Sequence, residues 1–267
     1  MQNHLVVTGL EAAWDTHIGY VRRHNEDAVS VLPLSGGGLF VVVADGMGGH
    51  QAGEVASAIA IESLGRSAEK WPDGADDAAQ VASLRDGLRN AARAINRAGD
   101  ADVQRASMGA AAVVAAVTPE AVLHQHAGDC RMYCFRDGER RYRTRDHSLV
   151  DMLCQLGELT EEEVFRHPLR NQLYSCLGGG QSLTSMEISP PWADDGPPEA
   201  VQALAPGDLL LFSSDGLHGV LGEQPLLDAV RERWGRSPDN LVAELIDLAL
   251  GAGGDDNITV VAVRVGG

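Results

Sequence analysis

Valine-rich apolar runs alternate along this chain with stretches whose apolar residues recur every three or four positions. LFVVVA (39–44) has the length and β-branched content of a strand buried on both faces. From residue 53 the period changes. Val55, Ala58, Ile59 and Leu64 fall on helical spacing, and Val81, Leu84, Leu88, Ala91 and Ile95 repeat that character over 78–98. KWPDGADDA (70–78) carries the proline, glycine and acids of a surface connection between the two helices, its aspartates solvated rather than metal-bound. Strand patterns return as AAAVVAAV (110–117), AVLHQHA (121–127), RMYCFR (131–136) and RRYRT (140–144). Turn signals at Thr118-Pro119, Gly128-Asp129 and Asp137-Gly138 separate them, which predicts an antiparallel meander.

Residues 146–180 read as short helical pieces inserted over the sheet: SLVDMLCQLG, TEEEVF opening on Thr160 as N-cap, and RNQLYSCLGGG. PPWADDGPP (190–198) is a loop, LLLFS (209–213) a strand, LVAELIDLAL (241–250) a last amphipathic helix and NITVVAVRV (257–265) a last strand. Runs of strands and runs of helices, without strict alternation, indicate an α+β fold with antiparallel sheets.

Composition narrows the possibilities. A chain of 267 residues, 44% hydrophobic, fills the core of one compact domain over 1–267. A formal net charge of −17 with no basic run argues against a nucleic-acid partner. No stretch approaches the ~18 apolar residues of a membrane span, and MQNHLVVTGL lacks a basic-then-apolar leader, so a cytoplasmic protein is expected. Cys130, Cys134, Cys154 and Cys176 form no C-x-x-C pair and are expected as reduced, partly buried thiols. His124 and His126 share a strand face. That spacing suits a metal pair, but buried structural histidines are the commoner outcome.

The candidate chemistry lies in a repeated event: an apolar strand abuts an acid followed by glycine or asparagine. Asp45-Gly46 follows VVVA, Asp215-Gly216 follows LLLFSS, and Asp256-Asn257 precedes ITVVAV, while Asn25-Glu26-Asp27 stands just before AVSVL. Each alone reads as a tight turn. Together they are a set of hard oxygen donors at strand ends, suited to divalent cations.

These residues resemble the metal-dependent PPM, or type-2C, serine/threonine protein phosphatases, in their bacterial form and nearly end to end. The motifs are G-x-x-R-x-x-N-E-D at Gly19 to Asp27, D-G-M-G-G-H at Asp45 to His50 with A-G-E at Ala52 to Glu54, and Met108-Gly109. They continue with GDCR (128–131), RDHSL (145–149), SSDGL (213–217) and DDNIT (255–259). The resemblance implies a central sandwich of two antiparallel sheets with a helical layer outside each, a four-layer αββα arrangement. It implies hydrolysis of phosphoserine and phosphothreonine on proteins by a water or hydroxide held between two metals, with two or three Mn²⁺ or Mg²⁺ ions as cofactors. No protein nucleophile is then required, in keeping with the lack of a C-x5-R loop or G-x-S-x-G elbow.

By the same resemblance Asp45 bridges the metals with the Gly46 carbonyl on one of them. Asp215 and Asp256 complete the first metal's shell, and Asp27 or Glu26 orients waters of the second. Asp129, with Asp215, supports a third ion, and Asn257 orients Asp256 or a metal-bound water. Arg22 holds the substrate phosphate, with Arg23 turned elsewhere on a strand. Met47 stands where many eukaryotic members have a histidine proposed as general acid, so His50 and a metal-bound water are the candidates for that role. His147 pins the start of the insertion. Cys130 replaces the usual serine of GDSR, for packing or as an oxidant-sensitive position. The 146–180 insertion corresponds to the family's flap, where substrate choice is expected. The implied partners are phosphoproteins and a cognate Ser/Thr kinase. Alternatives are a phosphatase acting on the anti-sigma antagonist of a stress pathway and a catalytically inactive metal-binding interaction module.

Overall fold

A computed structural model describes residues 3–49, 51–191 and 199–266. Its strands in chain order are β1 (Asn3–Val7), β2 (Leu10–His17), β3 (Asp27–Pro33), β4 (Leu39–Met47), β5 (Gly109–Val117) and β6 (Ala121–Ala127). They continue as β7 (Arg131–Arg136), β8 (Glu139–Arg143), β9 (Leu177–Gly178), β10 (Val201–Ala203), β11 (Leu209–Ser213) and β12 (Ile258–Val265). The helices are α1 (Ala52–Ala68), α2 (Asp77–Asp100), α3 (Leu149–Gln155), α4 (Glu161–Arg166), α5 (Asp215–Leu221), α6 (Glu223–Glu232) and α7 (Pro238–Gly251). Two antiparallel sheets result, one in the order β1-β2-β12-β11-β7-β8 and the other β10-β6-β5-β4-β3, with β9 pairing on β5.

The valine runs exist because the middle strands are covered on both sides. In β4, Val41 and Val43 point into the space between the sheets, where they meet Met132, Phe212 and Val261. Phe40 and Val42, on the opposite face, pack under Leu64 of α1 and Leu84 and Leu88 of α2. The other sheet is covered in the same way by α5, α6 and α7, whose Leu217, Leu226 and Leu245 bury Tyr133, Phe135 and Leu211. Each such side chain contributes about 1.5–3 kcal/mol by leaving water. Helix, sheet, sheet and helix stack around three apolar layers, and the strand ends carrying the acids are left at one edge of the sandwich.

Two expectations are corrected. Strands β5 to β8 are not a meander: β6 belongs to one sheet and β7 to the other, so the chain crosses the sandwich at Gly128-Asp129. Gly128 makes the crossing with φ of 100°, and a Cβ there would stand 2.4 Å from that of Ala111. From sequence, a Gly-Asp link between two strand patterns is indistinguishable from a hairpin. The segment 170–180 is not helical either. Ser148 bridges to Leu173, and Leu177-Gly178 return to the sheet as β9, which leaves α3 and α4 as the helical part of the insertion.

Smaller readings resolve as follows. Asp76 caps α2 through the Ala79 N–H at 2.8 Å, and Asp73 accepts from Ser35 Oγ at 2.6 Å, so both loop acids have local partners. His124 and His126 each have a protein partner of their own. His124 Nε2 meets the Tyr142 hydroxyl at 3.0 Å and His126 Nε2 donates to the Arg145 carbonyl at 2.6 Å. His147 accepts the Gly128 N–H at 3.2 Å, which fixes the start of the insertion against the crossover.

Candidate active site

Antiparallel pairing places the beginning of β3 beside the end of β4, and the register sets Asp27 opposite Asp45. Asp215 opens α5 directly after β11, Asp256 lies two residues ahead of β12, and Asp129 sits in the crossover between the sheets. Five carboxylates distant in sequence therefore meet at one edge. Glycines make the approach possible. A Cβ on Gly46 would lie 2.0 Å from the Gly53 carbonyl oxygen, one on Gly216 1.8 Å from that of Asn257, and one on Gly19 2.2 Å from that of Asp256. The acid-glycine pattern thus records backbone crowding around the cluster.

Hydrogen bonds fix the surroundings. Asp27 is buried, and its Oδ2 accepts from Ser214 Oγ and Thr259 Oγ1, both at 2.7 Å. The Glu26 N–H donates to Asn257 Oδ1 at 2.8 Å, and the Glu26 carbonyl accepts the Gly46 N–H at 3.0 Å. Asn257 also donates to the Ile18 and His24 carbonyls at 2.8 and 3.0 Å, so it pins the 18–26 loop against β12. Arg22 donates to Asp256 Oδ2 at 2.7 Å and stands 3.8 Å from Glu26, with its side chain 46% exposed. Most of its donors remain available. Residues 18–26 are loop, so the expected strand alternation of Arg22 and Arg23 does not occur.

Burial and mutual repulsion dominate the electrostatics. Burial, then the neighbouring acids, push Asp27 up to about 7 despite its two hydroxyl donors. Burial and Asp256 bring Asp215 to about 6 against a hydrogen bond with Asp45. Asp45 and Asp129 are driven well above the carboxylate range by burial and the surrounding aspartates. Burial and Asp45 likewise push the Cys130 thiol well up, and its side chain lies in the core between the sheets, which supports the packing role.

The donor set fits divalent metals. Hard carboxylate oxygens converge, and Asp215 Oδ1 is buried with no hydrogen-bond partner. Among the described residues no three such side chains already stand in a metal-holding group, and Asp27 is engaged by hydroxyls and Asp256 by Arg22. A cavity of about 270 Å³ extends from Asp129, Asp215 and Asp256 to Val150, Phe165 and Arg170 of the insertion. Met47 ends β4, and His50 lies outside the described residues.

Comparison with known proteins shows the family. The family model "Protein phosphatase 2C" matches residues 17–248. The chain belongs to the protein phosphatase 2C family. It is 32% identical over 264 residues to protein phosphatase PhpP of Streptococcus pneumoniae, covering 96% of this chain and 98% of that one. The crystal structure of the Mycobacterium tuberculosis serine/threonine phosphatase PstP/Ppp superposes with a TM-score of 0.80 at 30% identity, covering 98% of this chain and all of the other. The catalytic domain of PstP in complex with two manganese ions gives 0.77 at 29% identity, covering 98% and 99%. The two-sheet, helix-flanked architecture of this protein phosphatase 2C chain is the one those structures have.

Three side chains that support the site lie within the motifs without being marked by them. Ser214 and Thr259 sit inside SSDGL and DDNIT, yet their hold on Asp27 depends on β11 and β12 lying side by side. Arg131 of GDCR forms two 2.7 Å bonds to Asp146 and one of 2.9 Å to Glu223, which ties β7 to the insertion and to α6. Only the identity of GDCR and RDHSL as motifs signalled it.

Proposed function

We propose that this chain is a metal-dependent phosphatase that hydrolyses phosphoserine and phosphothreonine on proteins. The observation that carries the reading is the convergence of Asp45, Asp129, Asp215 and Asp256 at one sheet edge with Arg22 at its rim. Relatives named serine/threonine phosphatases, one of them solved with two manganese ions, support it. Asp45, Asp215, Asp256 and the Gly46 carbonyl would hold two Mn²⁺ or Mg²⁺ ions, with Glu26 and Asp27 placed to order water and Asp129 to support a third. Bound cations supply a water nucleophile at neutral pH and offset the phosphoryl charge.

The chain's own groups do the rest. Arg22 clamps the phosphate with its planar fork and is itself aligned by Asp256 and Glu26. Asn257 keeps the 18–26 loop in place. The insertion, single with the rest of the domain and beginning at Asp146, reads the protein around the phosphate, and a cognate Ser/Thr kinase and its targets are the partners. No described helix is long and apolar enough to cross a membrane, and we place the protein in the cytoplasm. The anti-sigma-antagonist and inactive-module readings are not favoured, since every expected aspartate is present.

Phosphate release from a phosphothreonine peptide and from p-nitrophenyl phosphate tests the proposal, with Mn²⁺, with Mg²⁺ and after EDTA. Activity is expected only with added metal, and Asp45→Ala is expected to lower it about 10³-fold or more. Folded protein that releases no phosphate under any metal refutes the enzymatic reading.

A further inference from the structure

A second cavity, of about 550 Å³, opens beside the cluster and shares no lining residue with the one under the insertion. Arg22, Arg23, His24, Glu26, Gln51 and Gln104 line it. In a chain of net charge −17, a wall with two arginines against one glutamate is a local reversal of sign. The two arginines differ. Arg22 is oriented by one bond to Asp256 and by Glu26 nearby, whereas Arg23 has no ion pair or hydrogen bond to a described residue. Arg105, close in sequence to Gln104, is already paired with Asp102. The exposed Val21 and Val103 are chain neighbours of the lining residues Arg22 and Gln104 and give the rim an apolar character.

We propose that Arg23, with Gln104 beside it, forms a subsite for an anionic side chain flanking the phosphorylated residue of the substrate. The proposal rests on the phosphatase reading. Consecutive arginines hold consecutive parts of one ligand: Arg22 the scissile phosphate, Arg23 the neighbouring charge. A guanidinium free of intramolecular partners loses no ion pair on binding, and its fork fits a carboxylate or a second phosphate equally well. Both ligands have the same chemistry and differ in their source, an acidic residue or a second phosphorylated one.

Steady-state kinetics with the Mn²⁺-loaded full chain test this. The phosphothreonine peptides carry glutamate, a non-hydrolysable phosphonate analogue of phosphoserine, alanine or lysine next to the scissile residue, and p-nitrophenyl phosphate reports the site without flanks. The expected result is a kcat/KM about tenfold higher for one or both anionic peptides than for the alanine peptide. Arg23→Ala removes that preference and Arg23→Glu turns it toward lysine, with p-nitrophenyl phosphate hydrolysis kept within twofold. Preference for glutamate identifies a carboxylate subsite, and preference for the phosphonate a second phosphate subsite. A wild type indifferent to the flank, variants that keep its preference, or variants that lose p-nitrophenyl phosphate hydrolysis in parallel overturn the subsite. A folded, Mn²⁺-loaded wild type that releases phosphate neither from any of the peptides nor from p-nitrophenyl phosphate overturns the phosphatase reading itself.

Discussion

Asp27 shows what a single residue owes to its neighbours. Its carboxylate is buried, faces other acids, and is held by the hydroxyls of Ser214 and Thr259, with Thr259 Oγ1 also 2.8 Å from Thr16 Oγ1. Thr259→Val keeps the shape and removes the hydroxyl. We expect a loss of about 1–2 kcal/mol in stability, read from the denaturant midpoint, and reduced metal-dependent phosphate release. An unchanged midpoint would show that the bond contributes nothing. The metal-binding candidates were legible at this scale because each acid carries its motif with it, and Asp45, Asp215 and Asp256 stand where the strand ends predicted. The hydroxyl partners were not, since their role appears only when residues 45 positions apart pair across β11 and β12.

The elements meet at a buried network that the sequence did not announce. Arg131 in β7 binds Asp146 at the base of the insertion and Glu223 at the start of α6, and Arg140 of β8 joins through Glu223. Burial would raise Asp146, but the Arg131 guanidinium outweighs it and holds the carboxyl well below the usual range. A depressed carboxylate contributes stability above its unfolded pKa of about 3.9 and loses that contribution as pH falls through the folded value. Asp146→Asn should therefore cost about 3–5 kcal/mol near pH 7, the effect of leaving a buried guanidinium short of its partner. The difference between variant and wild type should shrink below about pH 4. Urea unfolding at pH 7 and pH 3 measures it, and faster proteolysis within 149–176 would mark a loosened insertion. The misread meander belongs here too: the crossing at Gly128 brings Arg131 and Asp129 to their positions, and it depends on one left-handed glycine, not on any hydrophobic period.

Across the whole molecule, three apolar layers hold together an edge that repels itself. The periodicity of the strands predicted the layers because β4, β5, β11 and β12 are covered on both faces. The strain at the edge was invisible in sequence, since repulsion depends on distances that only the sandwich sets. It has a measurable consequence. Asp215 at about 6 and Asp27 at about 7 lie above their unfolded values, so protonation stabilises the metal-free fold. That contribution is fully present below about pH 4 and is lost as pH rises through 6 to 7. EDTA-treated protein should melt lower at pH 7.5 than at pH 5, by about 5–10 °C. Saturating Mn²⁺ replaces the missing protons and should raise Tm more at pH 7.5 than at pH 5, because at the lower pH it must displace them. Thermal scans at the two pH values, with and without metal, make the comparison. An equal gain from Mn²⁺ at both would mean that the aspartates at the sheet edge do not bear the charge that the cations relieve.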